Sequence, residues 1–381
     1  MMEKYIKCTW MRGGTSKGAC FLESELSSDI STQNSLLSKI YGSNDPSGRQ
    51  IDGMGGGTST TSKAVIVSKR AGERNGVNYT FAQVDVASDL VDRKGNCGNM
   101  SSTVGPFAID NGLVEDITEP TTQVQIFNTN TQKTIVAHVP VKNGKVVYCG
   151  DYAISGVPGT AARIQLDFLS PGGAVTKKLL PTGRVVDTIE LADGQKIDIS
   201  IVDAANPLVF VRAQDLGLTG SEMPKDIDSK PELLEKMLAI REAASVMAQI
   251  ATNLQEAKTI PAVPKFCFIA PPASYTSLEG EEIKATQIDI QARMLSMGKL
   301  HPALAITGGV CIGVAAKIPG TLVNQVVAQA ADRDELRIGH CSGILSVGAD
   351  VAINGNVIEA KCGTVYRTAR ILMRGEACIE V

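Results

Sequence analysis

The pair Asn143–Gly144 sits inside "TQVQIFNTNTQKTIVAHVPVKNGKVVY", a stretch whose apolar and polar residues alternate. Asn-Gly between alternating runs specifies a two-residue hairpin, because both residues accept positive φ. The chain therefore builds antiparallel strands there. "VNYTFAQVDV", residues 77–86, alternates in the same way, as half-buried strands do. "YIKCTWMR", Ala64–Val67, "RVVDTIEL", "KIDISIVD", "PLVFVRA" and "KFCFIA" read as further strands. Helical patterns fall between them. "LLSKIYG", residues 36–42, is the end of a helix. Residues 230–257 read as one long helix with Leu234, Met237, Leu238, Ile240 and Ala244 on a broad face. "IDIQARMLSMG" reads as a helix, and "HPALAITGGVCIGVAAKI" as a buried helical stretch. "CSGILSVGADVAING" and a closing strand pair follow. Strands and helices interleave in both halves, which gives an α/β (α+β) chain with antiparallel or mixed sheets.

The chain has 381 residues, so two domains are expected, each long enough for its own core. "SPGGAVTKKLLPTG", residues 170–183, is rich in Pro, Gly and Lys and is the expected linker. Aromatics make up 4% of the chain and the net charge is −3 without a basic block, which leaves neither the stacking surface nor the charge of a nucleic-acid binder. No apolar run approaches the ~20 residues of a membrane span, and the first residues lack the core of a signal peptide. Nine cysteines, odd in number and without a C-x-x-C pair, fit a reduced cytoplasmic protein with free thiols. Only three histidines are present, so no zinc site is expected.

Two loops carry chemistry. In "KGNCGNMSST", Cys97 lies between two asparagines and is framed by Gly95 and Gly98. A cysteine is most often a small buried hydrophobe. That reading suits Cys149, Cys267 and Cys311, which lie in apolar strings, and suits the polar setting of Cys97 badly. Val104, Phe107 and Ala108 predict a helix just downstream. Pro106 requires it to start near Ser102 or Thr103, or to kink. Free N–H groups at such a helix start favour an anion, either a thiolate or a carboxylate. The second loop, "GMGGGTSTTSK", matches no phosphate-binding pattern and reads as turns. It ends in Lys63; a lone lysine there is normally a solvated side chain, but this one stands immediately before an apolar strand, where burying a charge is costly without a purpose. "RIGHCSGILSVG" repeats the order cysteine, small polar residue, glycine, apolar run. It suggests a second glycine-lined helix start at Cys341. Asn206–Pro207 marks a turn at a strand start.

"CTWMRGGTSKG", "DGMGGGTSTTSK", "GNCGNMSSTVGPFAI" and "RIGHCSG", in this order, resemble the methylaconitate isomerase (PrpF-like) family over nearly the whole chain. The resemblance implies two similar diaminopimelate-epimerase-like domains. Each would be a curved, mostly antiparallel sheet around a central helix, with the active site in the cleft between domains. Because the last strand of that fold returns to the first domain, the expected domains are 1–182 plus 370–381, carrying Lys63 and Cys97, and 183–369. No cofactor and no metal are implied, and a homo-oligomer is expected.

The reaction implied is a 1,3-proton shift that moves a C=C bond in an unsaturated di- or tricarboxylate. The narrower match is to members that convert 3-methylitaconate to 2,3-dimethylmaleate in nicotinate degradation. Lys63 and Cys97 would move the proton. Asn96, Gly98, Asn99, Met100 and Ser101 would bind one carboxylate. Thr15, Ser16, Lys17, Asn206, His340, Ser342 and Gly343 would hold the other end. Family members commonly carry proline where Cys341 stands, so the two-cysteine chemistry of the epimerases is not implied. Three rivals stand beside this reading. One is a 4-oxalomesaconate tautomerase or (methyl)aconitate isomerase. Another is a two-cysteine amino-acid epimerase using Cys97 and Cys341, and the third is a non-catalytic carboxylate-binding protein.

Overall fold

The structure, a computed structural model, describes residues 3–93, 96–191, 194–296, 298–327, 333–355 and 357–380. Lys94 and Gly95 of the cysteine loop lie outside these. The chain forms two compact units, Met1–Asp167 with Tyr366–Val381, and Phe168–Val365. The divisions fall at 167/168 and 365/366, where the sequence suggests 182/183 and 369/370. The Pro/Gly stretch is no free linker. Its Val175 and Thr176 N–H groups donate to the buried Asp203 carboxylate at 2.8 and 2.7 Å, which ties the stretch into the second unit.

In the first unit, β1 (Glu3–Gly13) and β2 (Ser16–Leu22) form a hairpin. Helix α1 (Ile30–Tyr41) starts where the Asp29 carboxylate accepts from Thr32 N at 2.8 Å, and it stops at Gly42, φ 65°. β3 (Lys63–Lys69) runs parallel to β2 and antiparallel to β4 (Gly76–Val84). The short β5 (Val91–Asp92) precedes α2 (Gly98–Asp110). β6 (Thr121–Asn128) and β7 (Lys133–Lys142) pair antiparallel, and β8 (Lys145–Val146) follows the Asn143–Gly144 turn, whose φ values are 54° and 70°. β9 is Ile164–Leu169. The unit closes with the final strand, β21 (Ala369–Glu380), antiparallel to β1 from Glu3 to Gly13.

Alternation along these strands decides which side each residue serves. Ala64 and Ile66 of β3, with Ala82 and Val84 of β4, pack on Leu36, Leu37, Ile40 and Tyr41 of α1. The opposite face of β2 and β3 carries Gly18, Cys20, Lys63 and Val65, and α2 lies over it, with Cys20 Sγ 3.4 Å from Thr103 Oγ1. α2 is buried except at Asn99 and Asp110, which makes it the unit's central helix. It begins at Gly98, upstream of the start expected from Pro106, and Pro106 sits inside it. Burial on all sides keeps the helix despite the missing N–H.

In the second unit, β10 (Asp187–Glu190), β11 (Lys196–Ala204) and β12 (Asn206–Arg212) form an antiparallel run. α3 (Pro224–Asp228) leads into α4 (Pro231–Met247) and α5 (Leu254–Thr259). The expected single long helix is thus two, broken where Gln249 takes φ 58°. β13 (Lys265–Ala270), β14 (Tyr275–Thr276) and β15 (Glu282–Ile283) follow. "IDIQARMLSMG" is not a helix. It contains β16 (Ile290–Ser296), antiparallel to β13 and buried on both faces, so no exposed side marks its period. β17 is Lys299–Leu300. The central helix here is α6 (Ile306–Ala316), buried except at Thr307. Its glycines admit the sheet: a Cβ at Gly309 would stand 2.5 Å from Leu345 Cδ2. α7 (Leu322–Val327), β18 (Glu335–His340), β19 (Gly343–Asn354) and β20 (Val357–Arg367) complete the unit and lead back to the first. No helix among the described residues is long and apolar enough to cross a membrane.

Candidate active site

Lys63 opens β3 on the face shared with α2. Its Nζ donates to Gln83 Oε1 at 2.6 Å and lies 5.2 Å from the centre of the Phe81 ring. Gln83 is held in turn, its Nε2 donating to the Ser62 carbonyl at 2.9 Å and to the Ser59 carbonyl at 3.1 Å. The Lys63 backbone is fixed as well. Its carbonyl accepts from the Tyr41 hydroxyl, and that hydroxyl accepts from Ala19 N at 2.9 Å. The amino group is therefore aimed by a glutamine and an aromatic face, with no described carboxylate among its contacts.

Cys97 is the N-cap residue of α2 in extended conformation, partly exposed, and its side chain does not cap the helix. The thiol is thus left at the helix start, where N–H groups are unsatisfied and the dipole is positive. Tyr79, two residues from Phe81 on the same face of β4, lies beside Cys97 and Ser101. Burial pushes its hydroxyl well above the ordinary value, and charge on Cys97 adds to that. The hydroxyl is buried without a hydrogen-bond partner. Asn128, which pairs with Tyr79 across β4 and β6, donates through Nδ2 to Asn96 Oδ1 at 3.2 Å. One sheet face thus carries Lys63 over Phe81, with the start of α2 and Cys97 toward Tyr79.

Around this pair the structure sorts the expected binding residues. Asn99 and Thr15 come together, with Asn99 Nδ2 donating to Thr15 Oγ1 at 2.9 Å. The contact is close because Gly13 leaves no side chain there. A Cβ on it would stand 2.6 Å from Thr103 Cγ2. Ser16 is buried at the start of β2, and Lys17 N donates to the Thr60 carbonyl at 3.0 Å. Gly98 and Met100 are buried at the helix start, so only backbone groups remain to them for contact with a substrate. Ser101 is a correction to the sequence reading. Its hydroxyl donates to the Cys97 carbonyl at 3.0 Å, its N–H donates to the same carbonyl at 2.9 Å, and the side chain is fully buried. Ser102 and Thr103 fold back in the same way onto the carbonyls of Asn99 and Met100 at 2.7 Å. The hydroxyl run after Cys97 satisfies its own helix.

Asn206, His340, Ser342 and Gly343 belong to the second unit. Asn206 opens β12 after Ala205, which takes φ 59°. Cys341 and Ser342 form the tight turn between β18 and β19, so the expected second helix start is absent. The chain turns back at once, with Gly343 at φ 129°. Cys341 is 1% exposed and burial pushes its thiol up, with Arg293 opposing. His340 Nδ1 accepts from Ser342 N at 3.2 Å, and Ser342 Oγ donates to the Pro302 carbonyl at 2.6 Å. The Tyr275 hydroxyl lies 2.7 and 2.8 Å from the His340 and Gly343 carbonyls and holds the turn. Cys267 and Cys311 are buried as expected. Cys149 is exposed, because "VVYCGD" leaves the sheet after β8.

Gln83, Phe81 and Tyr41, which hold Lys63, are missing from the sequence reading. Only the β3–β4 register and the α1 packing reveal them. No group of three or more His, Cys, Asp or Glu side chains among the described residues is placed to hold a metal ion.

A sequence profile described as "PrpF protein" matches residues 3–380. The chain is 40% identical to a 2-methyl-aconitate isomerase of Shewanella oneidensis, covering 97% of this chain and 96% of that one. It is 41% identical to a 3-methylitaconate isomerase of Eubacterium barkeri, covering 98% and 97%. A crystal structure of methylitaconate-delta-isomerase superposes with a TM-score of 0.89 at 41% identity, over 99% of this chain and 96% of that chain. A hydroxyproline epimerase from Agrobacterium vitis superposes at 0.52 and 11% identity, over 99% and 93%, and shares the epimerase-like fold alone.

Proposed function

We propose a function from one premise: the chain belongs to the PrpF family. It is an isomerase of that family, and its substrate is an unsaturated di- or tricarboxylate whose C=C bond it transposes. The first candidate is 3-methylitaconate, converted to 2,3-dimethylmaleate. The full-length likeness to a 2-methyl-aconitate isomerase favours methylaconitate as the second. A cytoplasmic homo-oligomer remains part of the reading.

The observation that carries the mechanism is the shared sheet face. Lys63 lies over Phe81, and the α2 start with Cys97 lies toward Tyr79, two residues along the same strand. Two residues of a strand span roughly 6.6 Å, a reach suited to two groups that serve different carbons of one small acid. One of the pair takes the proton from the allylic carbon, and the other returns a proton at the far end of the dienolate. Such positioned proton transfer contributes about 10²–10⁴-fold. The start of α2, with Gly98, Asn99 and Met100, binds the carboxylate that gathers charge in the dienolate. Thr15, Ser16 and Lys17 flank it. Asn206, His340, Ser342 and Gly343 are assigned to the other end of the substrate.

Proton NMR of the full chain with 3-methylitaconate in D2O, beside methylaconitate and 4-oxalomesaconate, tests the reading. Loss of the methylene signals with growth of a dimethylmaleate pattern is the expected result. Turnover of another acid replaces the substrate, and silence on all three removes the proposal. Cys97→Ala and Lys63→Ala should each lower kcat by about 10²–10⁴-fold without unfolding. Near-normal turnover by either variant removes that residue from the mechanism. Cys341→Ser should leave isomerisation intact, whereas a two-cysteine epimerase would lose its activity.

A further inference from the structure

A dicarboxylate brings two negative charges, and the site as built so far has only Lys17 and Lys63 on the first unit to meet them. Arg367, the last residue of β20, is 9% exposed. Its Nη1 donates to the carbonyl of its own neighbour Tyr366 at 2.8 Å. Its Nε is buried with no hydrogen-bond partner among the described residues. No described carboxylate forms an ion pair with it. A buried guanidinium without a counter-ion is costly, and burial pushes this one down to about 10.

Its position gives that cost a purpose. Gly14, at φ 52°, separates Arg367 from the start of α2. A Cβ there would stand 2.2 Å from Asn99 Oδ1 and 3.1 Å from Arg367 Cδ. Arg367 thus lies against the turn that carries Thr15 and beside Asn99, two residues from Cys97. Across the same turn, Arg12 Nη1 donates to the Gly14 carbonyl at 2.9 Å and to Thr368 O and Oγ1 at 3.1 and 3.0 Å. No described carboxylate pairs with it either. The Arg12 guanidinium, the side-chain stem of Arg367 and one positive helix end thus meet at a single glycine turn, with neither arginine paired to a described carboxylate.

We propose that Arg367 anchors one substrate carboxylate at the Gly14–Thr15 turn, and so selects acids with a second carboxylate beyond the one bound at α2. The guanidinium fork suits a carboxylate, and a lysine at this position would supply charge without the paired geometry. This anchor rests on the reading above that the substrate is a dicarboxylate.

The test uses the full chain with Arg367→Gln and Arg367→Lys. It measures kcat and KM for the acid the wild type turns over, together with the thermal shift given by succinate and by its monomethyl ester. With the anchor lost, KM should rise on the order of 10- to 100-fold in Arg367→Gln, the worth of a charge-assisted hydrogen bond, while kcat changes much less. Arg367→Lys should fall between, and it carries the test alone if Arg367→Gln does not fold. Succinate should stabilise the wild type more than its ester, and the two should become equal in the variant. Unchanged KM with a lowered melting temperature would make Arg367 a strut for Asn99 and overturn the proposal. So would equal shifts by succinate and ester in the wild type. A wild type that turns over none of the acids yet still prefers succinate would sink the proposed reaction and leave the anchor standing.

Discussion

Gly18 is confined to a hydrogen where other residues carry a side chain. A Cβ there would lie 1.7 Å from the Lys63 carbonyl oxygen, and that carbonyl is already held by Tyr41. Gly18→Ala should therefore cost about 1–3 kcal/mol in denaturant unfolding, as overpacking does, and should lower turnover by displacing Lys63. Tyr79 gives the opposite expectation. Its buried hydroxyl has no hydrogen-bond partner among the described residues, so Tyr79→Phe should leave stability within about 1 kcal/mol of the wild type or raise it. A loss well beyond that in the same measurement would show that the hydroxyl is satisfied after all. At this scale the sequence was legible where chemistry sits beside its own neighbours. Cys97 between asparagines and Lys63 at a strand start stand out as candidates from their neighbours alone. Gln83 and Arg367 do not, because their contacts arise from register and from packing against residues far away in the chain.

Among the elements, those with one buried and one exposed side were readable: the alternating β4, the Asn143–Gly144 hairpin and the Gly42-terminated α1. β16 was not. Its Gln291 and Arg293 are buried along with Ile290, Ala292 and Met294, so polar residues there do not mark a solvent face, and its residue types favour helix. β16 is also tied to β18 through Asp289. That carboxylate accepts from Arg337 N at 2.8 Å and Arg337 Nε at 3.1 Å, with Arg333 Nη1 at 2.5 Å. Burial pushes its carboxyl up, but the hydrogen bonds from Arg337 outweigh this and hold it below the ordinary carboxylate range. A folded-state pKa below the unfolded value near 3.9 means that the contribution is present above that pH and lost as pH falls through the folded value. Asp289→Asn should cost about 2 kcal/mol at neutral pH and flatten the acid limb of stability against pH. An unchanged acid limb would remove the assignment.

For the whole molecule, the second unit is one uninterrupted segment with its own core, whereas the first is assembled from both ends of the sequence. The 168–365 fragment should fold alone and melt cooperatively. A chain ending at Thr368 should lose the first unit, because β1 would then lack its partner β21. Circular dichroism melts of the two fragments check both outcomes. The two-unit division was legible from length and from the interleaved pattern. Its boundary was not, because the Asp203 carboxylate captures a stretch whose composition reads as linker. The pairing of β1 with β21 also sets an order in time. A ribosome delivers Glu3 long before Glu380, so the segment bearing the lysine and the thiol waits, its edge unpaired, while the middle of the message is read and folds. The unit that carries Lys63 and Cys97 is the last part of this protein to mature, and any stall in translation before residue 369 leaves β1 as an open strand for chaperones to guard.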